Sequence, residues 1–360
     1  MFGGIYQGKK VLLTGHTGFK GSWLVCWLQQ LGAEVCGYSL PAPTDPAHWN
    51  LLKLDLRSEL ADIRDFQTLE KTFHEFQPEI VFHLAAQPLV RASYRDPVET
   101  WSTNVMGTLN VFEACRKTES VRAVVNVTSD KCYENREWDR GYRENDAMGG
   151  YDPYSASKGC SELLTASYRN SYFNNAAFGA KHQTLLASCR AGNVIGGGDW
   201  AEDRLVPDIM RAVAAGKPVE IRNPHATRPW QHVLEPLGGY LLVGQRLLEG
   251  KPEFASGWNF GPDDASDLSV REVVENIKLH WDRIETRLAQ AVDAPHEAHL
   301  LKLDCTKARK ELGWRPAWNS AKTFEQTVGW YRKFYEDGAL ATEADLDAYA
   351  AQFQIDLGAA

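Results

Sequence analysis

Short apolar runs alternate with longer amphipathic stretches through the first two thirds of the chain. Each run is almost continuously apolar, which is typical of parallel strands buried on both faces, and each intervening stretch is long enough for a crossover helix. The predicted strands lie at residues 11–15, 33–40, 80–86, 123–129 and 185–193, and the predicted helices at 20–31, 66–76, 98–117, 155–173 and 205–215. This alternation predicts an α/β fold built on a doubly wound parallel sheet.

The pattern changes after about residue 190, where polar loops and shorter apolar helices take over. Glycine- and proline-containing loops occupy 196–198, 222–230 and 258–264, and helical periodicity returns at 233–249 and 270–281. We therefore expect a Rossmann-type domain over residues 1–190, completed by a segment near 233–260. Residues 191–232 and 261–360 are expected to form a smaller α/β lobe that binds the substrate.

Composition and charge narrow the class of protein. Of the 360 residues, 44% are hydrophobic and 24% are charged, which is average for a globular protein and excludes a disordered or fibrous chain. The net charge is -8 and the basic residues are dispersed, so nucleic acid is not an expected partner. No apolar run approaches about 18 residues, and the run 11–13 is far shorter than a signal-peptide core, so we expect a cytoplasmic protein without membrane association.

The cysteines and histidines do not form a recognisable metal motif. The 7 cysteines are odd in number and contain no CxxC pair, which predicts reduced thiols rather than disulfides or structural zinc. Hydrogen-bonded structural roles are expected for the histidines that lack metal-ligand spacing, which are His83, His225, His232, His296 and His299.

Three glycines follow the first predicted strand at a GxxGxxG spacing and lead into a helix. These residues are Gly15, Gly18 and Gly21. The first two let the backbone turn tightly and approach a pyrophosphate, which then lies at the positive end of the helix dipole, and the third permits close packing of helix against strand. The turn therefore predicts a dinucleotide-binding site rather than a simple tight turn.

A tyrosine directly before the predicted helix 155–173 and a lysine within that helix lie four positions apart. The spacing puts Tyr154 and Lys158 on one helix face, one turn from each other. A nearby ammonium favours the phenolate and is expected to lower the tyrosine pKa from about 10. The pair then predicts a base that removes a proton from a substrate hydroxyl, the alternative being two surface residues of a helix.

Together these motifs resemble the extended short-chain dehydrogenase/reductase family, and within it the sugar-nucleotide 4,6-dehydratases. The resemblance covers about residues 9–320. It rests on TGHTGFKG (14–21), the pair Asp62-Ile63, HLAAQP (83–88), Asn104, VTSDKCYE (127–134), YSASK (154–158), RAGNVIGGGD (190–199), RPWQHV (228–233), WNFGP (258–262) and ARKELGW (308–314).

The resemblance implies NAD as the cofactor. The residues implied to bind it are Gly15, His16, Thr17, Gly18, Phe19, Lys20, Gly21, Asp62, Ile63, Leu84, Ala85, Ala86, Asn104, Tyr154 and Lys158. The second predicted strand lacks the usual carboxylate at its end, which leaves NADP open, and Asp62 is equally suited to capping the next helix. His16 and Lys20 replace smaller or apolar residues of the family, and their bulk is expected to weaken or alter cofactor binding.

The residues after the fifth predicted strand indicate the reaction type. By resemblance, Ser129 orients the sugar 4-hydroxyl, Tyr154 and Lys158 remove its proton, and Asp130 and Lys131 serve as acid and base in the elimination. The dTDP-glucose enzymes carry Asp-Glu here, whereas Asp-Lys resembles the CDP-glucose 4,6-dehydratases. The implied reaction converts CDP-D-glucose to CDP-4-keto-6-deoxy-D-glucose by internal hydride transfer through bound NAD and loss of water, in deoxysugar, O-antigen and lipopolysaccharide biosynthesis.

Substrate contacts and assembly are also implied by the resemblance. Asn193, Arg204, Arg228 and Asn259 are expected to hold the nucleoside diphosphate hexose, with Arg190 as a weaker candidate, because guanidinium and amide donors suit a diphosphate. Arg190 and Arg204 are equally suited to ion pairs at the surface or between the lobes. The helices 98–117 and 155–173 resemble a dimer interface, so a homodimer or higher homo-oligomer is expected.

Three alternatives stay open at this level. The chain is also compatible with an NAD-dependent sugar-nucleotide epimerase or reductase, with a dehydratase for dTDP- or GDP-hexose, and with a redox-inactive nucleotide sensor. The epimerase or reductase differs from the dehydratase chiefly at Asp130 and Lys131, for which an exposed ion pair at a strand end is the alternative interpretation. A sensor would be indicated by loss of the tyrosine or the lysine, and both are present.

Overall fold

A seven-stranded parallel sheet organises the fold in the computed structural model, which describes residues 1–221, Pro224, 227–263, 267–288 and 301–358. The strands are β1 (Lys10–Thr14), β2 (Glu34–Ser39), β3 (Arg57–Leu60), β4 (Ile80–His83), β5 (Ala123–Val127), β6 (Leu185–Ala191), β7 (Val194–Ile195), β8 (Val219–Ile221), β9 (Thr227–Pro229), β10 (Gln231–His232), β11 (Gly257–Phe260), β12 (Asp267–Ser269) and β13 (Thr286–Leu288). The α-helices of the described residues are α1 (Phe19–Gln30), α2 (His48–Leu52), α3 (Phe66–Phe76), α4 (Val90–Arg95), α5 (Pro97–Trp101), α6 (Thr108–Lys117), α7 (Pro153–Ser171), α8 (Leu205–Ala214), α9 (Leu234–Leu248), α10 (Val270–Lys278), α11 (Ser320–Asp337) and α12 (Thr342–Gly358).

The strand order of the large sheet confirms the predicted doubly wound fold. The order is β11-β6-β5-β4-β1-β2-β3, with all neighbours parallel. The chain lays down β1, β2 and β3 toward one edge and then returns to place β4 on the other side of β1. Ligands of open α/β sheets bind at the carboxyl ends of the strands beside such a reversal, so the ends of β1 and β4 mark the expected crevice.

Both faces of the sheet are covered over its central strands, which explains why these strands are largely apolar, whereas the edge strand β3 is polar and mostly exposed. Consecutive residues of a strand point to opposite faces. Accordingly, Leu13 belongs to a core cluster that includes Trp23 of α1, whereas Leu12 belongs to a separate cluster that includes Leu69 of α3 and Phe112 of α6. Among the residues that the structure describes, no helix is both long and apolar enough to cross a membrane.

The predicted helix 98–117 is interrupted. It consists of α5, a π-helical segment at Ser102–Gly107 and α6, and it begins at Pro97 after a cap by the Asp96 side chain. π-helical turns inside helices are frequent at functional sites. This one carries Asn104, which is described below.

The second half of the chain adds three two-stranded sheets, in which β7 pairs with β10, β8 with β13, and β9 with β12. β11 returns to the edge of the large sheet, within the segment near 233–260 that was expected to complete it. The division into two lobes at the predicted boundaries stays a prediction. α12, which the prediction assigns to the smaller lobe, packs against α1 and α9 of the larger one.

The polar sequence after residue 336 does not indicate a particular structure. It nevertheless contains the helix α12, which packs firmly against the domain built on the large sheet. Tyr349 and Phe353 of α12 pack against Trp27 of α1 at ring-centroid distances of 5.6 and 6.1 Å. Glu235 of α9 is fully buried and accepts hydrogen bonds from the Trp318 amide at 2.8 Å and the Tyr349 hydroxyl at 2.7 Å. This carboxylate therefore joins the C-terminal region to the core.

Replacing Glu235 by Gln keeps the shape of the side chain but turns one of its acceptor oxygens into an amide donor among hydrogen-bond donors. The variant is expected to lose about 3 kcal/mol of unfolding free energy in urea denaturation. Glu253→Gln, at an exposed glutamate, is the matched control and is expected to change stability by no more than about 0.5 kcal/mol. Equal unfolding midpoints for the two variants would contradict this role of Glu235.

Candidate active site

The glycine turn brings three backbone segments into contact at the carboxyl ends of β1 and β4. Gly15 has φ +80, and a Cβ there would lie 2.8 Å from the Ala85 nitrogen. A Cβ on Gly21 would lie 2.0 Å from the Gly15 carbonyl oxygen, so α1 approaches the turn as closely as glycine allows. α1 starts after Gly18 without a side-chain cap hydrogen bond, and such a helix start suits an anion. These features fit the pyrophosphate of a dinucleotide.

Hydroxyl groups hold the segments around the turn in place. The Thr14 hydroxyl accepts hydrogen bonds from the Leu84 and Ala85 amides, both at 3.2 Å, and hydrogen-bonds the His83 ring at 2.7 Å. Thr17 donates to the Leu40 carbonyl oxygen at 2.8 Å. The ends of β1, β2 and β4 are thereby fixed relative to one another.

His16 points into the protein rather than across the crevice. Its ring is buried, hydrogen-bonds the Ser58 hydroxyl at 2.7 Å and meets Trp49 edge-on at 4.6 Å. It also fills the space over Gly37 of β2, where a Cβ would lie 2.4 Å from the ring. Burial lowers the pKa of His16 to about 4, so the ring is neutral at pH 7.

Lys20 points toward the groups predicted to be catalytic. Its ammonium lies 3.5 Å from the Tyr240 hydroxyl. Burial and the Arg204 guanidinium lower the pKa of Lys20 to about 8, although the Asp130 carboxylate acts in the opposite direction. The two bulky side chains expected beside the pyrophosphate thus point in different directions. His16 packs over Gly37 of β2, and Lys20 extends toward Tyr240.

Two of the residues implied to bind the cofactor have their polar groups engaged within the protein. The Asp62 carboxylate pairs with Arg64 at 2.5 Å and is partly exposed, and the Arg64 hydrogen bond lowers its pKa. The buried Asn104 side chain accepts from the Gln87 amide at 2.8 Å and donates to the Ser157 hydroxyl at 2.9 Å. Asn104 therefore joins the segment after β4 to α7, and its contact with the cofactor stays a prediction.

The predicted catalytic residues meet at the end of β5. Tyr154 and Lys158 lie on the first turns of α7, whose start is fixed by the Asp152 side chain accepting from the Ser155 amide at 2.9 Å. Ser129 follows β5, donates to the Asp130 carboxylate at 2.9 Å and hydrogen-bonds Tyr154. Lys131 is partly buried, and its amide donates to the Ser129 hydroxyl at 3.2 Å.

The electrostatics of Tyr154 differ from the expectation. Burial raises its pKa to about 12, and the opposing hydrogen bond between Tyr154 and Ser129 does not restore the ordinary value. The Lys158 ammonium instead donates to the Val127 carbonyl oxygen at 3.4 Å, and burial lowers its own pKa to about 8. In the protein alone the tyrosine pKa is therefore raised rather than lowered as predicted, because burial outweighs the nearby ammonium and helical spacing does not report the cost of burial.

Two of the expected substrate residues, Arg204 and Asn193, stand at or near the crevice. Arg204 pairs with Asp199 at 2.8 Å and interacts electrostatically with Tyr154, and its side chain is 34% exposed. Asn193 is exposed in the loop after β6. Its neighbour Gly192 approaches the Asp130 carboxylate so closely that a Cβ there would lie 3.1 Å from it. The backbone of Arg228 lies in β9, and its side chain lies outside the described residues.

Arg190 and Asn259 have their polar groups engaged within the protein, and their expected contacts with the substrate stay a prediction. Arg190 is buried and paired with Glu162 of α7 at 2.8 Å, so its ion pair lies in the interior and not at the surface. The fully buried Asn259 accepts from the Tyr133 hydroxyl at 2.7 Å and donates to the Tyr142 carbonyl oxygen at 2.8 Å. No pattern along the chain indicates these partners, apart from the position of Glu162 one helical turn after Lys158.

The histidines within the described residues have structural surroundings. His83 and His232 are buried, and burial lowers the pKa of each to about 3. His225, His296 and His299 lie outside the described residues. No group of three or more histidine, cysteine or acidic side chains suited to a metal ion was found in the part of the chain that the structure describes.

Replacing Gly21 by Ala should displace α1 from the glycine turn, because the added methyl group overlaps the Gly15 carbonyl oxygen. Titration calorimetry with NAD is expected to show at least about tenfold weaker binding, equivalent to about 1.4 kcal/mol. Gly329→Ala in α11 is the control, since nothing lies within 4 Å of a Cβ there. Unchanged NAD affinity in the Gly21 variant would exclude this turn as the dinucleotide site.

Comparisons with known proteins agree with this arrangement. The family model described as GDP-mannose 4,6-dehydratase matches residues 12–327. The CDP-glucose 4,6-dehydratase of Salmonella typhimurium is 52% identical over 348 residues, covering 96% of this chain and 97% of that protein. A probable dTDP-glucose 4,6-dehydratase of Sinorhizobium fredii is 27% identical and covers 89% of this chain and 92% of that protein.

Solved structures extend the likeness to the fold. The UDP-glucose 4-epimerase of Thermus thermophilus in complex with NAD superposes with a TM-score of 0.77 at 26% identity, covering 90% of this chain and 99% of that one. The epimerase Mth375 of Methanothermobacter thermautotrophicus gives a TM-score of 0.80 at 24% identity, covering 93% and 95%. The family resemblance inferred from the sequence motifs is thus confirmed, and the chain belongs to the sugar-nucleotide 4,6-dehydratase family.

Proposed function

We propose that this protein is an NAD-dependent dehydratase that converts CDP-D-glucose to CDP-4-keto-6-deoxy-D-glucose. The observation that carries the proposal is the position of Asp130, which adjoins Ser129 and interacts electrostatically with Tyr154. A carboxyl group beside the tyrosine serves the elimination of a hydroxyl, whereas epimerisation at C4 does not need one. The 52% identity to a CDP-glucose 4,6-dehydratase over almost the whole chain supports the same substrate.

The fit of the glycine turn to a pyrophosphate, and the NAD complex of the Thermus thermophilus epimerase, support NAD as the cofactor. When bound, NAD supplies a hydride acceptor that is restored within each turnover, so no external reductant is consumed. The residues that hold it are those of the turn 15–21 and the segment 84–86, with Asp62 and Ile63 near the adenine. Asn104 supports the segment 84–86 through Gln87.

In this proposal, different side chains of the crevice carry out the separate proton transfers. Ser129 orients the 4-hydroxyl of the sugar, and Tyr154, with the Lys158 ammonium one helical turn away, removes its proton as C4 is oxidised. Because Tyr154 has a pKa of about 12 in the protein alone, the positively charged nicotinamide of a bound oxidised cofactor would be needed to favour the phenolate. The resulting ketone acidifies C5, Lys131 removes the C5 proton, and Asp130 protonates the departing 6-hydroxyl, which leaves as water. Return to C6 of the hydride taken from C4, and of a proton to C5, then gives the 4-keto-6-deoxy sugar.

The second half of the chain grips the diphosphate in this proposal. Arg204 is partly exposed beside Tyr154, and Asn193 is exposed beside Asp130, so both are available to a sugar nucleotide in the crevice. Arg228 completes the set. Guanidinium groups suit this task because their donors match pairs of phosphate oxygens.

The experiment is to incubate the protein with CDP-glucose, dTDP-glucose and GDP-mannose in separate reactions and to identify the products by mass spectrometry. We expect CDP-glucose to lose one water molecule and give the 4-keto-6-deoxy sugar. Tyr154→Phe should reduce turnover by about 100-fold or more, whereas Tyr172→Phe, at an exposed tyrosine just after α7, should not. A product that keeps its 6-hydroxyl would instead identify an epimerase, and preferential consumption of another nucleotide would refute the CDP assignment.

We further propose a cytoplasmic homodimer that acts in deoxysugar biosynthesis, of the kind that supplies O-antigen and lipopolysaccharide. The helices around α5, α6 and α7 present apolar side chains to solvent, among them Val98, Trp101, Met106 and Leu163. Burying such a face against a second copy removes it from water. The expectation of a homodimer from the helices 98–117 and 155–173 has this support.

Leu163→Glu should weaken the proposed dimer, because a carboxylate would be buried in an apolar contact. Light scattering after size-exclusion chromatography is expected to give the dimer mass for the wild type and the monomer mass for the variant. Leu279→Glu, at another exposed leucine, should leave the mass unchanged. A monomeric wild-type protein would rule out the proposed interface.

A further inference from the structure

A buried carboxylate lies one helical turn beyond Lys158 and has no part in the chemistry proposed above. Glu162 is 3% exposed, and its four-residue spacing in α7 puts it on the same helix face as Lys158. Buried acids are rare unless they are paired, so this one requires an explanation.

Glu162 is held by a cation and two hydroxyl groups. Arg190 donates to one carboxylate oxygen at 2.8 Å and Ser188 donates to the same oxygen at 2.7 Å, while Thr128 donates to the other at 2.5 Å. Burial raises the pKa of Glu162, but Arg190 and these hydrogen bonds outweigh burial and leave the pKa below its ordinary value. The carboxylate is therefore charged at neutral pH.

These contacts fix the strand end that carries the catalytic serine. Thr128 immediately precedes Ser129, and the Lys158 ammonium donates to the carbonyl oxygen of Val127 at 3.4 Å. Two successive turns of α7 thus hold two successive residues at the end of β5. A displacement of Glu162 would move Ser129 relative to Tyr154.

Arg190 extends the network to the second half of the chain. It donates to the Tyr133 hydroxyl at 2.6 Å, which in turn donates to Asn259 at 2.7 Å. Asn259 also donates to the Tyr142 carbonyl oxygen at 2.8 Å, and Tyr142 forms a backbone bridge with Leu303. The rings of Tyr133 and Tyr142 are stacked at 5.3 Å, and the Arg190 guanidinium lies 5.1 Å from the centre of the first ring.

We propose that Glu162 is a positioning residue for the dehydratase reaction: it is the counter-charge of the Lys158 ammonium, and with Arg190 it ties the strand end bearing Ser129 to the second half of the chain. The inference rests on the proposed function, since it assumes that Tyr154 and Lys158 perform the chemistry.

The groups around Lys158 leave Glu162 as its counter-charge. Those that interact with Lys158 electrostatically are Glu162 of its own helix, Cys132 after β5, His83 of β4 and Lys20 of α1. Burial raises the pKa of the Cys132 thiol well above its usual value and lowers that of His83 to about 3, so both are neutral at pH 7. Among these described groups, Glu162 supplies the negative charge that opposes the effect of burial on Lys158.

The test is Glu162→Gln, which removes the charge and keeps the shape. Burial already lowers the pKa of Lys158 to about 8. Loss of the Glu162 charge should lower the pKa of Lys158 further, by about 1 unit. Lys158 must be protonated to act, and activity is lost as the pH rises through its pKa. The alkaline limb of kcat for CDP-glucose is therefore expected to move to lower pH by about 1 unit.

Two variants separate this effect from simple damage to the fold. Ser188→Ala removes one hydrogen bond to Glu162 and keeps the carboxylate, so its alkaline limb should coincide with that of the wild type. If Glu162→Gln leaves Arg190 unpaired and does not fold, Glu162→Gln/Arg190→Gln removes both buried charges and is measured in its place, with the same direction of shift expected.

A readout without turnover keeps the two proposals distinguishable. The pKa of Lys158 is followed by NMR of protein carrying 13C-labelled lysine, with the Lys158 signal assigned by its disappearance in Lys158→Met. An inactive wild type with a lowered Lys158 pKa in the Glu162 variant would refute the proposed function and support the counter-charge. An active wild type with the same Lys158 pKa and the same alkaline limb in wild type and Glu162→Gln would overturn the role of Glu162.

Discussion

The backbone contact between the glycine turn, the start of α1 and the end of β4 is the constraint from which the rest of the site follows. Neither Gly15 nor Gly21 has room for a Cβ, so the anion-binding helix start is fixed at the reversal of strand order. The next strand along the sheet, β5, is followed closely by Ser129. α7 then crosses this strand end and brings the tyrosine and the lysine to it. The spacing of neighbouring strands thereby sets the distance between the glycine turn and Asp130.

Much of this arrangement was predictable from sequence, because it depends on local patterns. The strands read as apolar runs since both faces of the sheet are covered, and the YxxxK spacing places its two side chains together on any helix. α12 was not predictable in the same way. Its buried residues Leu346, Tyr349 and Phe353 do follow a helical spacing, but they stand among alanines and acids. Tyr349 and Phe353 are buried by packing against Trp27, which lies more than 300 residues earlier in the chain.

Polar residues at strand ends were the least predictable part of the site. Arg190 and Asn259 have side chains suited to binding a phosphate or a base. Nothing in their spacing reveals that their hydrogen-bonding groups are instead occupied by Glu162, Tyr133 and Tyr142. The same limit applies to Tyr154, whose pKa depends on burial as well as on a nearby ammonium. Sequence motifs specify which groups approach each other, whereas solvent exclusion determines their protonation.

The burial of Cys132 has a chemical consequence for the proposed reaction. Loss of water from a 4-keto hexose leaves a conjugated enone, an electrophile that thiolates attack readily. Cys132 lies next to Lys131 in the chain and is fully buried, and burial raises its pKa so far that it stays a thiol. Since the thiolate is the nucleophile, a cysteine beside the catalytic pair is compatible with an enzyme that generates a Michael acceptor and is not inactivated by its own chemistry.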